Sequence, residues 1–324
     1  MPKTGSLQNW TNFLKADQEL RAEVPDPLSD PAATGLALAR IVRNRATKGQ
    51  RLRLAVVHRY SSHNYILRYW LAASGIDPQQ DVEMVVVPPP LTAEALKTGE
   101  IDGACAGKPW NSLAVDEGAA DIICATALIW KRGVEKVLSL KAETVRKDEP
   151  KVLALTRALD RAARYAEEPR RHDEVAEILS RREYLDQPPE RIGRALSGHL
   201  RVTTDPDRNV PIQDFFILWR DAANFPWVSQ ALWLYAQMVR WGDARLSADA
   251  EALVRDVFQP WLYRRALADS GTPLPGALAK VEGAISETFG VGSTTGRLIL
   301  GCDRFLDGHA FDPESMANYL ESLP

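Results

Sequence analysis

Between residues 53 and 127 the chain alternates two patterns of hydrophobic and polar positions. Short apolar runs rich in Val, Ile and Ala occupy 53–57 (RLAVV), 82–87 (VEMVVV), 101–106 (IDGACA) and 121–125 (DIICA). Between them lie stretches with the three- and four-residue spacing of a helix: Tyr65–Ala73, Leu91–Thr98 and Trp110–Gly118. The short runs predict strands and the spaced stretches predict helices. Strands alternating with helices predict βαβ units around a mostly parallel sheet. The punctuation agrees. Pro88-Pro89-Pro90 stops the second strand, Thr92 with Glu94 and Ala95 fits a first helical turn, and Gly99 fits a helix stop before Ile101. Upstream, Pro31–Arg45 predicts an amphipathic helix with proline in its first turn.

Beyond residue 147 the character changes. Arg/Glu/Ala-rich stretches at 151–168 and 172–185 carry apolar residues at helical spacing, and 227–241 and 247–267 repeat the pattern with Trp and Leu on one face. Pro188-Pro189, the stretch 203–211 and the turn sequence 271–276 interrupt them. Two domains are expected: an α/β lobe over 1–126 and a mainly helical part over 127–324 that includes a return to the other lobe, with the boundary between 126 and 140.

The composition is that of an ordinary globular protein, with 45% hydrophobic and 26% charged residues in 324. A net charge of −3 gives no global field favouring nucleic acid. Cys105, Cys124 and Cys302 form no CxxC pair, so neither a disulfide framework nor a zinc site is expected. No run approaches about 18 apolar residues, the length a membrane helix needs. The opening sequence has neither an apolar core nor an A-x-A site of a signal peptide, so a cytoplasmic protein is expected, or a periplasmic one if translation starts upstream.

Candidate chemistry concentrates in the strand–loop–helix segment 53–78. A strand ending near Val57 leads into the polar loop His58–Asn64, then a helix from about Tyr65 with Ser62, His63 or Asn64 as its cap. A helix start exposes main-chain N–H groups and the positive end of the dipole, which suits an anion. The loop also sits at the carboxyl end of a strand, where open α/β sheets hold ligands. Spacing alone favours a plain helix capped by Ser62 with His63 at the surface. A second loop follows the small-residue strand at Gly107, where glycine allows close approach to the main chain, and Pro109 suits the next helix start. Lys136, beside Glu135, is either a solvated side chain or a charge that balances an anion. No P-loop, GxGxxG, GxSxG or HExxH motif occurs, and the five histidines do not cluster, which favours binding over catalysis and implies no cofactor and no metal.

The string SSHNYILRYWLAASGIDPQQDVEMVVVPPP, together with GKPWNSLAV, EKVL, RDAANFPW, ALWLYAQMVRWG and CDRFLDGHAFDP, resembles the nitrate- and bicarbonate-binding branch of ABC-type solute-binding proteins, in family order from about residue 50 onward. The resemblance implies a periplasmic-binding-protein type II fold, α/β in class, with one lobe incomplete because the family's opening segment of roughly a hundred residues has no counterpart here. It implies an anion site in which His63 stands close to the anion, the Gly107 main chain faces it, Lys136 balances its charge, and Ser61, Ser62 and Asn64 flank the histidine. Ser6-Leu7-Gln8-Asn9-Trp10-Thr11 corresponds to an amide-bearing family stretch, so Gln8, Asn9 and Trp10 are weaker candidates. Lys108 stands where the branch commonly has an acid, and Val134 and Ser139 where it has Pro and Gly. With no export signal in view, the resemblance points to a NasS-like nitrate/nitrite sensor that holds an RNA-binding, NasT-like antiterminator until anion binds. Its rivals are the substrate-binding component of an ABC importer, partnered by a permease, and a truncated interaction protein without ligand. None of the three binds nucleic acid directly.

Overall fold

The computed structural model describes all residues but 1, 4–5, 9–10, 16–19, 21–22 and 206; the remaining residues before 20 are described by their backbone. In chain order the first elements are strands β1 (Pro2–Lys3), β2 (Ser6–Gln8) and β3 (Thr11–Lys15). Helix α1 (Pro31–Ala46), β4 (Leu52–Val56), α2 (Ser62–Ala73) and β5 (Val82–Val86) follow. Then come α3 (Thr92–Lys97), β6 (Gly103–Gly107), α4 (Trp110–Asp116), β7 (Asp121–Ala125) and, after a further short helix, β8 (Val134–Val137). The alternation expected over 53–127 is therefore present.

Contacts gather the chain into two units. One, the α/β unit, holds Trp10–Lys131 and His172–Phe216; the second holds Met1–Asn9, Arg132–Arg171 and Ile217–Leu323. This grouping differs from a single break near 126. Helices Pro189–Ser197 and His172–Ser180 lie with the sheet because the first of them buries Ile192, Ala195 and Leu196 and sends Arg191 and Arg194 to Asp116 of α4. Pro188-Pro189, expected only to break a helix, also starts one: Pro189 opens that helix, where its missing N–H costs nothing.

The α/β unit is built on a five-stranded sheet in the order β5-β4-β6-β3-β7. β4 pairs parallel with β5 and β6, while β3 runs antiparallel between β6 and β7, so four strands point one way and one against them. β7 is buried at all five positions and β6 at four of five, as in parallel sheets covered on both faces. Its core joins Ala55, Ala104, Ile122 and Ala125 to Ala95 and Leu96 of α3, Ala114 and Val115 of α4, and the returning residues Leu200, Val202 and Phe215.

In the second unit the described strands pair two by two, β2 with β8 among them. Helices Glu149–Glu167, Val228–Arg240, Ala248–Val257 and Pro260–Leu267 also belong to it. The helix expected over 247–267 is two, parted before Pro260, which cannot donate the hydrogen bond a continuous helix needs. Its core centres on Phe225, Trp227, Tyr263, Leu267, Leu298 and Leu300.

Candidate functional site

β4 ends at Val56 and α2 begins at Ser62, one turn earlier than the sequence suggests. The cap is Ser61, not Ser62, His63 or Asn64: its backbone is extended (φ −83°, ψ 154°) and its hydroxyl accepts the Asn64 N–H. The Ser61 carbonyl accepts from the N–H groups of Asn64 (3.1 Å) and Tyr65 (3.3 Å). The same hydroxyl donates to the His58 carbonyl at 2.7 Å. Asn64 is committed to the loop, its amide donating to the Arg59 carbonyl at 2.7 Å and accepting from Arg68 Nε at 3.1 Å. His63 and Asn64 are buried, while Ser61 and Ser62 are half-buried. The loop is thus held rigid at the positive end of a twelve-residue helix.

Gly107 closes β6, the parallel neighbour of β4, with Val56 in register with Cys105. The two strand–loop–helix units therefore open on the same edge of the sheet. Past Gly107 the loop is dense with buried polar groups. Asn111 is fully buried and donates to the Ala106 carbonyl at 3.0 Å. Lys108 is buried too, and its Nζ donates to Ser112 Oγ at 2.6 Å. Lys108, Ser112 and Asp116 follow at four-residue spacing, the repeat of one helical face. Asp116 accepts from Arg191 Nε (2.9 Å) and Arg194 Nη2 (3.0 Å), with Arg201 Nη1 at 3.5 Å. Burial pushes the Lys108 amine down to about 7; Arg194 and Arg191 push it the same way and Asp116 opposes them.

Sequence reasoning noticed Lys108 as a departure but gave it no role. The four-residue spacing to Ser112 and Asp116 was a usable signal. The arginines that make the environment cationic lie some 75 residues further along the chain, where no local pattern points to them.

The remaining candidates are elsewhere. Lys136 is on β8 in the second unit, 63% exposed in its side chain and ion-paired with Glu135. Gln8 is on β2, its backbone paired with Val134 of β8. Asn9 and Trp10 lie outside the described residues. Cys105 and Cys124 are buried, and burial raises the Cys124 thiol far above its usual range. Among the described residues no group of three His, Cys, Asp or Glu side chains is placed to hold a metal, and no helix is long and apolar enough to cross a membrane.

Comparison with known proteins adds the following. The model of the NMT1-like family matches residues 16–180, half of the chain. The nitrate/nitrite binding protein NrtA of Synechococcus elongatus is 32% identical over 287 residues, 88% of this chain and 60% of that protein. The bicarbonate transport ATP-binding protein CmpC of the same organism is 31% identical over 280 residues, 86% of this chain and 38% of that protein. The crystal structure of the periplasmic nitrate-binding protein NrtA from Synechocystis PCC 6803 superposes with a TM-score of 0.80 at 25% identity, covering 98% of this chain and 75% of that one. The α/β fold is accordingly that of the periplasmic binding proteins of type II. The chain spans less than two thirds of the curated relatives it matches.

Proposed function

Because this chain belongs to the NMT1-like family, we propose that it captures a small oxyanion, nitrate or nitrite or bicarbonate, as the substrate-binding component of an ABC-type importer. The observation that carries the reading is the loop Ser61–Asn64. It is a rigid helix start at the carboxyl edge of parallel strands, beside the Gly107 loop, in a chain whose fold and sequence resemble a nitrate-binding protein. Main-chain N–H groups of the first turn and the helix dipole favour a planar anion there. His63 and the Gly107 main chain are assigned to contact the anion, and Ser61, Ser62 and Asn64 to shape the loop. The proposal is one of binding, with no chemical step.

The regulatory reading, a sensor that holds an antiterminator until anion arrives, shares the same ligand loop and differs only in its partner. The named relatives are a nitrate/nitrite binding protein and a bicarbonate transport ATP-binding protein, which favours the importer. Titration calorimetry of the full chain with nitrate, nitrite and bicarbonate tests the binding step. Saturable heat with one of them, lost in Ser61→Ala/His63→Ala, is expected. No heat with any of the three at millimolar concentration overturns the reading.

A further inference from the structure

The Lys108 amine is buried, and among the described residues no carboxylate pairs directly with it. Among the described residues its hydrogen bond goes to the neutral hydroxyl of Ser112, and a lysine ammonium carries three donors. The nearest carboxylate along the helical face, Asp116, is occupied by Arg191, Arg194 and Arg201. Helix α4 packs against α3, β3, β6 and β7, and β7 brings the buried Asp121. α4 itself brings Asp116, helix Pro189–Ser197 brings Arg191 and Arg194, strand His199–Arg201 brings Arg201, and α3 brings Lys97, ion-paired with Glu117 at 2.5 Å. Arg191, Arg194 and Arg201 thus share one carboxylate, whose charge also acts on Lys108. Burial and the two arginines of the neighbouring helix both disfavour the ammonium form.

We propose that anion capture at the Gly107 loop is proton-linked through Lys108: the anion binds as the buried amine takes up a proton. The inference rests on the reading of Gly107 as part of the anion site. Lys108 is the next residue. Consecutive Cα atoms are 3.8 Å apart and a lysine side chain reaches about 6 Å, so its Nζ stands within about 10 Å of the Gly107 main chain. With an effective dielectric constant near 20, one negative charge at that distance tightens the amine's hold on a proton about tenfold. Reciprocity requires protonation to tighten the anion by the same factor.

The sign follows from the order of the two midpoints. The anion-free amine titrates near 7, and the bound form higher. Affinity is therefore greatest below pH 7 and falls as pH rises through the midpoint of the bound form. Lys108 would also favour anions that stay charged at low pH over those that take up the proton themselves.

The test uses the full chain and nitrate, nitrite and bicarbonate as probes. Calorimetry at pH 7.5 in two buffers of different ionisation enthalpy counts protons, and about half a proton taken up per anion is expected from linkage. The affinity of the best-bound probe should fall about tenfold between pH 6.5 and 9. In Lys108→Met both effects should vanish, leaving a flat affinity equal to the high-pH value of the unmodified protein. Nuclear magnetic resonance of the Lys108 Cε group gives a second measurement in the unmodified protein: its titration should move to higher pH when the anion is added. Equal proton uptake with and without Lys108, or a titration that the anion does not move, overturns the proposal. If none of the three anions binds while the amine still titrates near neutrality, the anion reading itself has failed, and the linkage with it.

Discussion

Lys108, which is buried, and Lys280, which is half-buried, carry opposite consequences for the same substitution. Lys280, in the second unit, contacts Glu282 Oε2 at 2.5 Å and the Asp303 carboxylate, and Ser229 donates to Glu282 at 2.6 Å. Burial opposes its charge, but the two carboxylates outweigh burial and hold the ammonium above its ordinary range. Removing it leaves Glu282 and Asp303 buried without a counter-charge. Lys280→Met should cost about 3–5 kcal/mol in urea unfolding near pH 7. Among the described residues Lys108 has no carboxylate in direct contact, only the Ser112 hydroxyl. Its amine is driven down to about 7 from 10.5, so between those values the unfolded chain binds more protons than the folded one. The contribution of Lys108 is least favourable below pH 7 and improves as pH rises toward 10.5. Lys108→Met should therefore stabilise the protein by about 1–4 kcal/mol at pH 6, with the gain gone by about pH 10. A loss of stability at pH 6 would show that the Ser112 hydrogen bond outweighs the buried charge.

Elements became legible where their signal is local. α1 was readable from Pro31 and the helical spacing that follows, and the structure adds Asp30, whose carboxylate accepts from Ala32 and Ala33 at 3.0 and 2.9 Å. The closeness of its packing was not readable. Gly35 lies against α2 so tightly that an added Cβ would sit 1.9 Å from Ser74 Oγ and 2.8 Å from Ser74 Cβ. Ser74 is itself fixed by a 2.7 Å hydrogen bond to the Trp70 carbonyl, and Trp70 donates to the Pro31 carbonyl at 2.9 Å. Helix propensity alone would make Gly35→Ala stabilising by up to about 1 kcal/mol. Overpacking should reverse the sign, with a loss of about 1–3 kcal/mol and a lower melting temperature. β3 was missed for a different reason. Thr11–Lys15 has neither an apolar run nor alternation; it is a strand because β6 and β7, about a hundred residues later, hold it on both sides. Helix Pro189–Ser197 was hidden by prolines that usually end helices and here begin one.

At the scale of the molecule, one strand–loop–helix edge was legible, because a cap, a strand end and a glycine lie within a few residues of one another. Ser61–Asn64 and Gly107 indeed share that edge. The cationic face behind it was not, since Arg191, Arg194 and Arg201 reach Asp116 only after the chain has left the α/β unit and returned. That return has a measurable consequence. An anion held at the Gly107 loop stabilises the α/β unit, which includes residues 172–216 as well as 10–131. At a hundred times its dissociation constant a ligand contributes about 2.7 kcal/mol, or about 5 °C in melting temperature for a protein of this size. Hydrogen exchange with the anion at that concentration should slow in β4, β6 and α4 and, in step with them, in helix Pro189–Ser197. A unit that ended near residue 126 would instead leave that helix exchanging as before.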